Sequence, residues 1–133
     1  MNPEGLDLYP SKQGPAATME RVVAAVTQRG MAVMARIDHA AAARKAGLDL
    51  RPTEVLIFGN PKGGTPLMQA AQTIGIDLPL KALVFEDQDG KTWLAINAPQ
   101  WLAARHGGAP GAEKAIAAMT TALEDIAKQA TGA

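Results

Sequence analysis

Leu6, Asp7, Leu8 and Tyr9 alternate apolar with polar character, the period of two that marks a strand with one buried face. After Gly14 and Pro15 the period changes. Met19, Val22, Val23 and Val26 recur at i, i+3, i+4 and i+7, the stripe of an amphipathic helix whose first turn suits Pro15. Gly30 then stands where a left-handed residue would end that helix. Met31 to Ile37 predicts a second strand. Asp38 is placed to cap a short alanine-rich helix from His39 to Ala46, which Gly47 closes and onto which Leu48 folds back.

Glu54 to Phe58 carries a run of consecutive apolar residues, some β-branched, and predicts a central strand buried on both faces. Thr65 and Pro66 are expected to cap and start a third helix with Leu67, Ala70, Ala71 and Ile74 on its apolar face and Gly75 as its stop. Lys81 to Phe85 and Thr92 to Ile96 flank Asp87-Gln88-Asp89-Gly90, a turn that predicts an antiparallel hairpin with a bulge. Asn97 and Pro99 open a short helix running through Arg105. Residues 107–111, rich in glycine, are the one stretch expected to be flexible. Beyond them Ile116, Met119, Leu123 and Ile126 stripe a helix expected over 112–130. The order β-α-β-α-β-α-β-β-α-α predicts an α+β fold: a mixed, about five-stranded sheet covered by helices.

At 133 residues the chain suits a single domain over 1–133, large enough to bury a core without staples. Thirteen basic and thirteen acidic residues cancel, which argues against nucleic-acid or anionic-membrane partners, since both need a basic excess. There is no cysteine, so disulfides, thiolate metal sites and a cysteine nucleophile are all excluded. Residues 1–5 lack the basic and apolar regions of a secretory signal, no apolar run is long enough to span a bilayer, and a cytoplasmic location is expected.

Three stretches carry a resemblance. They are Arg36-Ile37-Asp38-His39 leading to residues 46–53; Val55 to Met68, with Phe58-Gly59-Asn60-Pro61 and Gly64-Thr65-Pro66-Leu67; and Asp77 to Glu86 followed by Trp93, Asn97, Pro99, Arg105 and His106. In order and spacing the chain resembles the domain-of-unknown-function 302 family over about residues 6–107, with the C-terminal helix outside the match. The resemblance implies a small α/β protein, sometimes dimeric, and no agreed activity.

Few residues offer chemistry. The turn Gly59 to Pro66 joins a strand to a helix N-terminus, where glycine amides and the helix dipole can converge on an anion; Asn60, Lys62, Gly63, Gly64 and Thr65 would hold it. The spacing is not that of a P-loop, and the plainer reading is a tight turn with Thr65 as cap. Asp38 and His39 pair a carboxylate with an imidazole and are weak candidates for acid/base work, although neighbours on a helix do not face one another. His39 and His106 are the only histidines and lack metal-ligand spacing, so no metal site is expected. The sole serine, Ser11, is in no nucleophile elbow.

The functional expectation is therefore a small anionic ligand bound at 59–66, without a cofactor. Its rivals are an assembly module forming a homodimer, for which short alanine-rich helices and two tryptophans leave apolar surface, and an enzyme using His39.

Overall fold

The computed structural model describes residues 2–132. Its elements are strands β1 (Leu6–Ser11), β2 (Ala32–Asp38), β3 (Thr53–Gly59), β4 (Leu80–Glu86) and β5 (Thr92–Asn97), and helices α1 (Pro15–Gln28), α2 (His39–Lys45), α3 (Pro61–Ala70), α4 (Pro99–Arg105) and α5 (Glu113–Thr131), with a 3-10 turn at Gln72–Asp77. The α+β class and the order of elements are those expected from the sequence.

The five strands form one sheet in the order β1-β5-β4-β3-β2. Every neighbouring pair is antiparallel, where a mixed sheet was expected. The reason is that no helix serves as a crossover between two parallel neighbours: α2 joins adjacent antiparallel β2 and β3, and β1 closes the far edge against β5.

Alternation along the strands separates two faces. Leu56, Phe58, Leu80, Ala82, Val84, Leu94 and Ile96 point to one face and join a single core cluster. That cluster takes Met19, Val22 and Val26 from α1, and Ile116, Met119, Leu123 and Ile126 from α5, the stripes read from the sequence. Leu8, Val55, Ile57, Leu83, Phe85, Trp93 and Ala95 occupy the other face, and none joins the core cluster. So β3 is buried on one face, not on both. Its consecutive apolar residues serve two different surfaces, and Val55 and Ile57 remain partly exposed.

The local devices follow the chain chemistry. Asp38 Oδ1 accepts the Ala41 N–H at 2.9 Å and caps α2. Gly47 takes a positive φ of 78°, and the Leu48 N–H returns to the Ala43 carbonyl. At the hairpin, Glu86 pairs with Thr92, Gly90 has φ 79°, and Asp87 N–H donates to the Lys91 carbonyl at 2.8 Å. Residues 107–111 carry three positive-φ glycines, yet Ala109 among them is fully buried. This segment was expected to be flexible; Ala109 anchors it in the core.

The start of α3 differs from expectation. Asn60 is its cap: Oδ1 accepts the Lys62 N–H at 2.9 Å, and Pro61 opens the first turn. Thr65 and Pro66 lie inside the helix. Gly63 and Gly64 are helical residues and have no positive φ. Gly75 likewise falls within the 3-10 turn instead of ending a helix.

Candidate functional site

A cleft of about 480 Å³ opens between the start of α3, the entry to β4 and the middle of α5. Asn60, Lys62, Gly63, Gly64 and Thr65, the residues singled out in the sequence, all line it. Its chemistry, however, is not that of an anion nest. The N–H of Lys62 is used by Asn60 Oδ1, and those of Gly63 and Gly64 both reach the Asn60 carbonyl, at 2.9 and 3.0 Å. Pro61 has no N–H to give. The first-turn amides are thus already engaged, and none is left to converge on a small anion.

The rest of the lining is apolar. Met31, Met34, Met68 and Met119 contribute thioether side chains; Leu78, Pro79 and Leu80 form one wall and the alanines of α5 another. Lys62 is the one charged residue among the lining residues, and it is exposed. Four of the six methionines of the chain meet here. Methionine is unbranched and polarizable and adapts to irregular apolar ligands, so the grouping favours shape tolerance over rigid recognition.

Local structure explains how the four arrive. The β2–β3 register shifts between Val33 and Ala35, leaving Met34 as the extra residue of a bulge, and Met34 lines the cleft. On α5, Ala115, Ala118, Met119 and Ala122 fall at i, i+3, i+4 and i+7, beside the core stripe. Small residues there leave the volume open. A Cβ built on Gly63 would meet no atom within 4 Å, so that glycine faces open cleft, whereas one on Gly75 would stand 3.4 Å from Met68 Sδ.

The other candidates lie elsewhere. Asp38 caps α2 and lines a second cleft of about 330 Å³ with Arg44 and Glu54. His39 is exposed and lines neither cleft. His106 is held in a network of its own: Nε2 lies 2.6 Å from Asp77 Oδ2, and Nδ1 lies 2.8 Å from the Thr73 hydroxyl. Arg105 donates to both oxygens of Asp77. The two histidines and the Asn60–Thr65 segment therefore do not form one site. No cluster of three or more histidines, aspartates and glutamates suited to a metal exists among the described residues.

Sequence reading missed the methionines and the α5 alanines of the cleft. Their signal was present only as an unusual share of methionine and a second helical stripe next to the core one. The Asp77–His106 pair, 29 residues apart, left no local signal.

The fold has a solved counterpart. The crystal structure of an uncharacterized conserved protein DUF302 from Bacillus stearothermophilus superposes with a TM-score of 0.85, covering 96% of this chain and 99% of that one at 20% identity. That likeness shows the fold. The chain belongs to the family described as Domain of unknown function DUF302, which it matches over residues 9–126. The match runs well into α5, so the C-terminal helix is part of the family's domain and not an addition to it.

Over 128 residues the chain is also 49% identical to proteins named fluoride-specific ion channel FluC 1 from Brucella suis biovar 1 and Brucella abortus biovar 1. A FluC 2 from Brucella melitensis biotype 1 matches equally. The match covers 96% of this chain and 47–50% of those proteins, so the chain spans about half the length of the curated relatives it matches. Among the described residues no helix is long and apolar enough to cross a membrane.

Proposed function

We propose that this domain binds a small amphipathic anion, with the apolar body of the ligand in the methionine-lined cleft and its charged end beside Lys62. The observation that carries the reading is the cleft itself. Its volume lies within the roughly 300–1,000 Å³ usual for small-ligand pockets, and an apolar lining with one convergent charge is their usual composition. Burying apolar surface supplies the affinity, at about 25 cal/mol per Å². Lys62 supplies orientation and sign.

A strongly hydrated inorganic anion is a poor occupant. With the amides of Lys62, Gly63 and Gly64 engaged, nothing replaces its water except one exposed ammonium. The name of the longer relatives therefore bears on context, not on the occupant of the cleft. In a protein of twice this length, a domain whose described residues hold no membrane-spanning helix would act beside the remainder of the chain, binding its own ligand there.

The reading is tested by thermal denaturation with decanoate, decanol and inorganic phosphate as probes. Decanoate should raise the melting temperature progressively with concentration, decanol less and phosphate not at all. Lys62→Ala should narrow the gap between decanoate and decanol. No shift with either chain, or an unchanged gap in the variant, would overturn it.

A further inference from the structure

Thr73, His106 and Asp77 stand in a line. The His106 ring lies between the other two, its Nδ1 2.8 Å from the Thr73 hydroxyl and its Nε2 2.6 Å from Asp77 Oδ2. The 3-10 turn Gln72–Asp77 supplies both ends of the line, and the residue that follows α4 supplies the middle. Sequence spacing hides the arrangement, because His106 is 33 residues from Thr73 and 29 from Asp77.

The partners fix where the ring proton sits. Arg105 donates to both Asp77 oxygens, at 2.8 and 3.0 Å, and so favours the ionised carboxylate. A carboxylate only accepts, so the Nε2 that faces it carries the proton. In the neutral ring Nδ1 is then an acceptor, and the Thr73 O–H donates to it. That is the arrangement of a hydroxyl held on a general base whose far side is oriented by a third group.

Burial is graded along the line. The His106 side chain is 8% exposed and that of Asp77 17%, while Thr73 is open to solvent. Base and orienting partner are thus fixed within the protein, and the hydroxyl meets solvent at the free end. The tie between turn and helix is complete with Asp77, Arg105 and His106. The Thr73 bond, neutral and at the surface, adds little to it.

We propose that this line is a hydrolytic centre for small carboxylic esters, with Thr73 Oγ1 as nucleophile and His106 as its general base. Thr73 and His106 are the catalytic residues, and Asp77 is a positioning residue that acts through the ring. Thr73 Oγ1 bonds to the ester carbonyl carbon as its proton passes to His106 Nδ1. The bond from that carbon to the alcohol oxygen breaks, and the imidazolium gives its proton to the leaving alkoxide. Water then attacks the Thr73 ester and yields a proton to the same nitrogen, which returns it to Thr73 Oγ1 as the carboxylic acid leaves. Thr73 lines neither of the two clefts, so the acyl group it takes is a short one presented from solvent. The centre is also separate from the methionine-lined cleft, which includes Gly75 and Leu78 from this part of the chain but not His106.

Stopped-flow release of p-nitrophenolate from p-nitrophenyl acetate by the intact chain tests it, with peptide mapping by mass spectrometry of the quenched protein. A burst approaching one equivalent is expected, with the acetyl group on Thr73. Thr73→Val, which keeps the shape and removes the hydroxyl, should slow the burst by more than about tenfold while far-ultraviolet circular dichroism stays that of the parent. Thr73→Ser should retain the burst. Asp77→Asn should lower kcat with little change in KM, and Asp77→Glu should restore part of the loss, which a merely structural tie would not produce. The parent protein alone decides the first point: no acetyl group on Thr73, or acetyl groups on lysines only, overturns the proposal. So does a burst that Thr73→Val retains, or one carried instead by the exposed His39 and lost in His39→Gln.

Discussion

Asp77 and His106 meet at 2.6 Å, the carboxylate of the 3-10 turn against the Nε2 of the residue that ends α4. Burial pushes the Asp77 carboxyl up, but its hydrogen bond from His106 and the charge of Arg105 outweigh that, and it sits below its ordinary value of 3.8. A carboxyl held low in the folded state contributes stability that is complete above its unfolded value and is lost as pH falls through the folded one. Asp77→Asn should therefore cost about 1–3 kcal/mol at neutral pH. In urea titrations the difference from the parent should shrink below about pH 4. An equal difference at pH 7 and pH 3 would show that the pair's charge is immaterial.

Gly5 and Trp101 fix the junction of β1 with α4. Gly5 has φ 76°, and a Cβ there would stand 2.2 Å from Trp101 Cδ2. Both the backbone strain and the collision oppose a side chain, and the indole is a rigid obstacle. Gly5→Ala should destabilise the protein by more than about 2 kcal/mol and change Trp101 fluorescence, best read in a Trp93→Phe background.

The start of α3 gives a contrast between two neighbouring polar residues. Asn60 satisfies the Lys62 N–H, so Asn60→Ala should cost about 1 kcal/mol. Thr65 is exposed and inside the helix, and Thr65→Ala should stay within about 0.5 kcal/mol of the parent. Chemical denaturation of the two variants checks this. The reverse ranking would put the cap at Thr65, as the sequence alone suggests.

That contrast shows what was legible in the chain and what was not. The hairpin at Asp87–Gly90 could be read because its cause is local: a turn glycine with positive φ between two alternating runs. The stripes of α1 and α5 could be read for the same reason. The direction of the sheet could not, since it depends on where β1 settles, and Leu6 pairs with Asn97, 91 residues further along the chain. Val55 and Ile57 resembled residues of a doubly buried strand because the open face is itself apolar. Gly63, Gly64 and Pro66 resembled helix breakers, and they masked a helix already begun by Asn60 and Pro61. The candidate residues of that segment were found, but the cleft they line is walled by β2, the β4 entry and α5, and no single window of sequence contains it.

Gly63 separates the folding role of this segment from a binding role. It is a helical residue, so replacement by alanine removes the entropy cost of glycine and should stabilise the unliganded protein by up to about 1 kcal/mol. The new methyl group has no neighbour within 4 Å and projects into the cleft. If ligands of the amphipathic class occupy that space, Gly63→Ala raises the unliganded melting temperature and at the same time reduces the further rise produced by decanoate. Gly64→Ala is the companion measurement, since its methyl group would rest on Leu78 Cδ1 at 3.5 Å, in ordinary contact. It should gain a similar helical stabilisation with a smaller loss of binding. The two melting curves, with and without decanoate, read both quantities in one experiment. A Gly63→Ala protein that is stabilised and still responds to decanoate as the parent does would place the ligand outside the cleft.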